Sequence, residues 1–154
     1  MSHPKSAIPF FAVVILERWG YYGVRGLFIL FIISEIVAPR EFAVVAVEWG
    51  ALMIALGYLA GGLVCRISNP KLVSLIGLGI QTIATFIIAF SYGKEMARLG
   101  YILMGFGTGL LRTSILPFLG QIYQRSKLLD SAVQVNYIMS NLGGFLGGLV
   151  IGIV

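Results

Sequence analysis

Five long apolar stretches, separated by short polar connections, dominate this sequence and limit what it can fold into. They cover approximately residues 8–37, 44–65, 72–92, 99–123 and 131–154. A helix of about 20 residues rises about 30 Å, which matches the hydrocarbon core of a bilayer. Each stretch is therefore long enough to cross a membrane, and the short loops favour antiparallel neighbours. The pattern predicts an all-α membrane protein with five transmembrane helices in a single domain, residues 1–154.

The composition agrees with a membrane location and excludes several other classes of protein. Hydrophobic residues make up 58% of the chain and charged residues only 11%, whereas about 25% charged residues is usual in soluble domains. The net charge of +5 comes from basic residues that are scattered singly, so we expect no nucleic-acid partner. Because the sequence has one histidine, one cysteine and no clustered metal ligands, we expect no metal, no cofactor and no enzymatic activity.

The basic residues of the connections predict an orientation in the membrane. Five lie on the side of the N-terminus and three on the opposite side when the spans alternate. The five are Lys5, Arg66, Lys71, Arg125 and Lys127, and the three are Arg40, Lys94 and Arg98. Since cytoplasmic loops carry an excess of Lys and Arg, we expect a cytoplasmic N-terminus in a plasma (inner) membrane.

The first apolar stretch differs from the others because charged residues interrupt it. Glu17, Arg18 and Arg25 share an arc of about 140° with Tyr21 and Tyr22 when successive residues are placed about 100° apart. A charged side chain at the centre of a bilayer costs about 2.5–3.5 kcal/mol, so this arc should face other helices or water. Tyrosine offers an apolar ring and a polar hydroxyl. The stripe predicts a binding site for a solute that carries an anionic group.

Two structural interpretations of the same stripe stay open. In the first, Glu17 forms a buried ion pair with an arginine, and the pair only fixes the packing of helices. In the second, Arg18 extends to the cytoplasmic surface of the membrane and contacts no ligand. A binding site is favoured because the charges and the tyrosines share one face.

The fourth stretch carries a cation near its centre. Arg112 lies in a span that contains no acidic residue, and Pro117 removes the hydrogen bond to the carbonyl of Thr113. A bent helix with a central positive charge suits the wall of a cavity. The alternative is that Glu17 or Glu48 of a neighbouring helix neutralises Arg112.

Glycines four positions apart predict close contacts between helices. The pairs are Gly57 and Gly61, Gly105 and Gly109, Gly143 and Gly147, and Gly144 and Gly148.

Residues 17–25, ERWGYYGVR, resemble the first-helix signature of the proton-dependent oligopeptide transporter family, which is part of the major facilitator superfamily. Three further segments resemble the family in the same order along the chain. They are GYLAGGLV at 57–64, GFGTGLLRTSILPFLGQIY at 105–123 and DSAVQVNYIMSNLGGFLGGL at 130–149. The sequence departs from the family at Val14, where the family has a first Glu, and at Arg112, where it has Lys.

The resemblance implies an incomplete N-terminal six-helix half of a major facilitator fold, and the uptake of di- and tripeptides with protons. The implied proton-coupling residues are Glu17 and Arg18. The implied substrate-binding residues, which contact the peptide chiefly near its carboxylate, are Tyr21, Tyr22, Arg25, Arg112 and Asn141. Since half of such a fold supplies one wall of a cavity, we expect the chain to need a C-terminal half or a partner subunit.

Val14 has a physical consequence for the implied mechanism. Two neighbouring carboxyls raise one another's pKa and can exchange a proton near neutral pH, and Val14 leaves Glu17 without such a partner. The sequence therefore predicts binding of a small anionic or zwitterionic solute ahead of proton coupling. Two alternatives stay open: a non-transporting membrane subunit or remnant, and a transporter of another small solute, such as a drug or nitrate, that works as an oligomer.

Overall fold

The computed structural model describes residues 4–124 and 127–153, and within them the chain forms five α-helices and no strand. The helices are α1 (Ala7–Ser34), α2 (Arg40–Ile67), α3 (Pro70–Ala89), α4 (Lys94–Ile122) and α5 (Leu129–Ile153). The predicted all-α fold with five helices is confirmed. Two residues used above, Arg125 and the last residue of the fifth stretch, Val154, lie outside the described ranges.

Within the described residues, three of the helices are long and apolar enough to cross a membrane by length and composition: α2, α3 and α4. The first helix ends at Ser34, three residues before the end of the predicted stretch, and its charged residues lower its apolar character. Five membrane spans, their orientation and a single domain stay predictions.

The described chain divides into two compact units. Unit 1 contains the residues up to Phe28 and those from Leu119 onward, and unit 2 is Ile29–Phe118. Unit 1 therefore holds most of α1, the end of α4 and all of α5, while unit 2 holds α2, α3 and most of α4.

In unit 2, glycines bring the backbone of α4 directly against the backbone of α2. A Cβ atom added to Gly105 would collide with the carbonyl oxygen of Gly50. A Cβ on Gly109 would lie 2.8 Å from the Cα of Gly57, closer than real Cβ atoms approach. A Cβ on Gly61 would lie 3.1 Å from the Cβ of Thr113 in α4. The predicted glycine contacts of these two helices are confirmed.

The opposite side of α4 packs on α3 through a glycine and a pair of hydroxyls. A Cβ on Gly107 would lie 2.8 Å from the carbonyl oxygen of Gly77. The buried hydroxyls of Ser74 and Ser114 are 2.8 Å apart, and the Ser114 hydroxyl also donates to the carbonyl of Leu111 at 2.8 Å. Because a hydroxyl has one proton to donate, Ser74 is the donor between the two serines. This bond links α3 to α4 without leaving either polar group unpaired.

The short connection between α2 and α3 shows why Asn69 and Pro70 interrupt the apolar pattern. The Asn69 side chain accepts a hydrogen bond from the backbone N–H of Lys71 at 3.0 Å, and Pro70 is the first residue of α3. Asparagine is a favoured helix cap, and proline fits the first helical position because its missing N–H would have no helical partner there. The breaker signal in the sequence is therefore the start signal of α3.

A residue with a strained backbone follows the end of α1. Val37 has φ 53°, which places a β-branched residue in the left-handed region that usually requires glycine. Its side chain is 81% exposed. The chain continues from there to Pro39, the residue before α2, which begins at Arg40.

We expect Val37→Gly to raise the free energy of unfolding by about 1 kcal/mol, because the left-handed region is unfavourable for a side chain with a Cβ. Chemical unfolding followed by circular dichroism measures the change. Val45→Gly, at an exposed position inside α2, should instead be destabilising by about 0.5–1 kcal/mol. If both substitutions destabilise the protein equally, the backbone of Val37 is not strained.

Unit 1 has an apolar core at the start of α1. Its fully buried members come from α1, the end of α4 and the start of α5, and partly buried aromatic and aliphatic side chains cover them. The buried members are Ala7, Leu119, Tyr123 and Ala132, and the covering residues are Phe10, Phe11, Ile122 and Leu128. This core anchors α5 beside the segment of α1 that carries the charged stripe.

Candidate functional site

Glu17 and Arg18 form a buried ion pair on α1. The Nε and Nη2 atoms of Arg18 each donate a hydrogen bond to a different oxygen of the Glu17 carboxylate. The two side chains are only 2% and 4% exposed, respectively for Glu17 and Arg18. The second structural interpretation requires an Arg18 that extends to the membrane surface, but this side chain is buried. Glu17 pairs with Arg18, its neighbour in sequence.

Two tyrosines continue this pair toward the other arginine of the helix. The guanidinium carbon of Arg18 lies 5.0 Å from the ring centre of Tyr21 and 5.9 Å from that of Tyr22. The two rings meet edge to face, with centres 5.2 Å apart. Arg25 donates a side-chain hydrogen bond to Tyr21 and is itself exposed. We call these five connected residues, Glu17, Arg18, Tyr21, Tyr22 and Arg25, the α1 cluster.

One donor of the α1 cluster is not used within the described residues. The Nη1 atom of Arg18 is buried and has no hydrogen-bond partner there, and an unsatisfied buried donor costs about 1–3 kcal/mol. Val14, which is 4% exposed, lies one helical turn before Arg18, where side chains of a helix are neighbours. Since valine cannot accept a hydrogen bond, the position at which the related family has Glu supplies no acceptor here.

Glycines of α5 place that helix directly on the α1 cluster. A Cβ on Gly143 would lie 2.6 Å from the Cβ of Arg18, and a Cβ on Gly147 would lie 2.7 Å from the Cβ of Tyr22. A Cβ on Gly144 would approach the Tyr22 ring at 3.2 Å. Gly143, Gly144 and Gly147, the glycine notch, therefore hold the stems of Arg18 and Tyr22 against α5.

The last member of the predicted glycine pairs behaves differently. Gly148 has nothing within 4 Å of an added Cβ, so the expected close contact at this position is wrong. It is exposed.

The two remaining predicted site residues lie outside these contacts. Asn141 is exposed on α5, two positions before the glycine notch. Arg112 is half-buried on α4 and belongs to unit 2, whereas the α1 cluster belongs to unit 1. The structure thus connects five of the seven predicted residues by direct contacts, while the roles assigned to all seven stay predictions.

Sequence reasoning missed one polar residue of unit 1. Asn136 lies on α5, and its Oδ1 atom is buried without a partner among the described residues. A signal was present, because a polar side chain next to Tyr137 interrupts an apolar helix. Asn136 is half-buried, whereas Asn141 on the same helix is exposed.

Comparisons with known proteins identify peptide transporters as relatives of the chain, although no family model matches it. The chain is 27% identical to dipeptide and tripeptide permease A of Proteus mirabilis in an alignment that covers 96% of the chain and 31% of the permease. It is 30% identical to the peptide transporter YePEPT of Yersinia enterocolitica in an alignment that covers 98% of the chain and 31% of the transporter.

Solved structures agree on the fold. The chain superposes on tetrameric PepTSo2 with a TM-score of 0.80 and 22% identity, covering 92% of the chain and 31% of PepTSo2. The chain spans about a third of the length of the proteins that it matches. The expected resemblance to the N-terminal part of the oligopeptide transporter family is confirmed.

Proposed function

We propose that this chain, which resembles the N-terminal third of bacterial peptide transporters, supplies part of the solute site of a transporter for di- and tripeptides. The observation that carries the proposal is the continuous path of contacts from the buried Glu17–Arg18 pair through Tyr21 to the exposed Arg25. A ligand that reaches Arg25 is thereby connected to the ionic pair in the interior of α1.

The charges of the α1 cluster favour an anionic group. Glu17 and Arg18 neutralise one another, so the net positive charge of the cluster is that of Arg25. A guanidinium binds a carboxylate through two parallel hydrogen bonds. Tyr22, which is half-buried, adds an apolar face and a hydroxyl beside it. This combination suits the C-terminal carboxylate of a short peptide with an apolar side chain.

The ionic pair also offers a physical route to proton coupling. Both oxygens of Glu17 accept hydrogen bonds from Arg18, so adding a proton to this carboxyl would neutralise it and release the guanidinium. Arg18 already has one unused donor, Nη1. A released Arg18 would need another anion, and it would share the solute carboxylate with Arg25, to which Tyr21 connects it. Proton binding to Glu17 and solute binding to Arg18 would then favour one another.

The rest of the site would come from other segments. Asn141 and Arg112 are proposed as further solute contacts, on α5 and α4. Because the chain covers about a third of its relatives, the opposite wall of the site would come from a C-terminal half or a partner subunit. The protein would lie in the plasma (inner) membrane with a cytoplasmic N-terminus.

A second candidate function is a non-transporting membrane subunit. It is favoured by the depth of the Glu17–Arg18 pair, since a pair that is 2–4% exposed fixes helix packing whether or not a solute binds.

Substitution of Arg25 separates the two functions. We expect Arg25→Ala to weaken binding of the dipeptide Ala-Ala by about 10-fold or more, because a hydrogen bond to a charged group contributes about 1.5–3 kcal/mol. Arg25→Lys keeps the charge but loses the fork, so its effect should be smaller. Dipeptide-induced thermal stabilisation of the full chain in detergent measures the affinity.

The design includes a ligand that lacks the carboxylate. Ala-Ala amide should bind the unsubstituted protein as weakly as Ala-Ala binds the Arg25→Ala variant, and it should lose nothing further from that substitution. Arg98→Ala, at the start of α4, is the matched control and should leave dipeptide binding unchanged. Equal stabilisation of the unsubstituted protein and Arg25→Ala by Ala-Ala would reject the proposed site.

A further inference from the structure

Two cations of unit 2 lie over one aromatic ring. The Nζ atom of Lys94 is 5.4 Å from the ring centre of Phe42, and the guanidinium carbon of Arg98 is 5.1 Å from the same centre. Phe42 belongs to the first turn of α2, and the two cations belong to the first two turns of α4. The three residues, here called the Phe42 cluster, therefore bring the starts of two helices together.

The stability of the helices does not explain this concentration of positive charge. The N-terminus of a helix carries a partial positive charge, which disfavours cations in the first turn. Lys94 and Arg98 nevertheless lie at the start of α4, and Arg40 is the first residue of α2. Such an arrangement raises the positive potential where the two helix starts meet, and this potential attracts anions.

The acidic residues of the same two helix starts compensate all but one of these charges, because Glu41 and Glu95 stand against Arg40, Lys94 and Arg98. Glu95 pairs with Arg98 at 2.5 Å, but the two side chains are 61% and 37% exposed, and exposed pairs contribute little. Glu41 stands beside Arg40 in the first turn of α2 and is exposed. Both carboxylates are therefore free to turn toward water when another anion approaches the ring.

In a membrane crossed by α2 and α4, the Phe42 cluster would lie at the depth of the lipid headgroups. Both α2 and α4 are apolar enough to cross a membrane, and the cluster occupies their first turns. The connection that leads into α4 carries the exposed aromatic residues Phe90 and Tyr92, which are 64% and 98% exposed. Aromatic residues are enriched at the boundary between hydrocarbon and water, so this end of unit 2 has the composition of that boundary.

We propose that the Phe42 cluster binds the phosphate of an anionic phospholipid headgroup. The ammonium of Lys94 and the guanidinium of Arg98 can both donate to phosphate oxygens while they remain over the ring of Phe42. The apolar sides of α2 and α4 below the cluster would contact the acyl chains of the same lipid. This site is separate from the proposed peptide site and does not depend on it.

Native mass spectrometry of the full chain in detergent tests the proposal with palmitoyl-oleoyl phosphatidylglycerol as the probe. We expect Lys94→Ala combined with Arg98→Ala to reduce retention of this lipid about 25-fold, since each of the two cations that contact the phosphate contributes about fivefold to its binding. Phe42→Leu keeps every charge but removes the ring that holds both cations, and it should reduce retention about threefold.

The controls separate a site from net charge. Arg66→Ala combined with Lys71→Ala removes the same charge near the α2–α3 connection and should leave retention unchanged. Equal losses in both double variants would overturn the proposal, as would equal retention of phosphatidylcholine. Displacement of the lipid by millimolar glycerol phosphate would show a site for free phosphate and would overturn the assignment to a lipid.

Discussion

Glu17→Ala should lower the free energy of unfolding by about 3–5 kcal/mol, because it removes one partner of a buried ion pair and leaves the other charge uncompensated. Arg18 is 3% exposed, and the glycine notch presses α5 against its stem at Gly143. The guanidinium therefore has no short path to water. Unfolding of the purified chain by sodium dodecyl sulfate, followed by tryptophan fluorescence, measures the loss.

A double substitution shows whether the loss comes from the unpaired charge. Glu17→Leu combined with Arg18→Leu removes both charges and should restore most of the stability, since a buried pair is often replaceable by apolar residues at little cost. Glu17→Gln keeps the shape but only one of the two acceptors, because the amide nitrogen is a donor, so its stability should lie between those of the other two variants. A loss below about 1 kcal/mol for Glu17→Ala would mean that Arg18 is not held in a dry site.

Gly109→Ala should destabilise the protein by about 1–3 kcal/mol, because the added methyl group overfills a contact between two backbones. The new Cβ would lie 2.8 Å from the Cα of Gly57 and would collide with the carbonyl oxygen of Ile54. Neither atom belongs to a flexible side chain, so α4 and α2 must move apart. A fall in the midpoint of thermal unfolding, measured by circular dichroism, reports the effect.

Gly79→Ala is the matched control for this substitution. Gly79 also lies inside a helix of unit 2, but an added Cβ would have nothing within 4 Å. Alanine should stabilise α3 there by about 0.5–1 kcal/mol, through the greater helix propensity of alanine. If Gly79→Ala and Gly109→Ala change the midpoint equally, the close approach of α4 to α2 is not present in solution.

The helices were predictable from the sequence because each is at least as long as the hydrocarbon core of a bilayer is thick and is bounded by recognisable signals. Asn69 and Pro70 mark the start of α3 in the sequence and cap it in the structure. The end of α1 was not predictable to the residue. The apolar run continues through Val37, but the helix ends at Ser34 and Val37 adopts a left-handed conformation. Hydropathy does not register that change because a strained valine is as apolar as a helical one.

The candidate site was predictable as a face of α1 and not as a set of contacts. Spacing placed Glu17, Arg18 and Arg25 on one arc, but adjacent residues of a helix do not face each other, so the pairing of Glu17 with Arg18 could not be derived from spacing. It depends on both side chains turning along the surface of α1, where Gly143 of α5 contacts the stem of Arg18. Glycine spacing likewise indicated a close helix contact without showing that the notch of α5 receives Arg18 and Tyr22.

The contacts of α4 have a consequence for how this chain can move. Where backbones touch directly, as at Gly105 and Gly50 or at Gly107 and Gly77, there is no layer of side chains that could repack to let one helix slide along another. Shear between packed helices needs such a layer. The bond between Ser74 and Ser114 opposes sliding further. We therefore expect α2, α3 and the adjoining part of α4 to move together as one rigid body. Any bending of the chain should occur outside these helices.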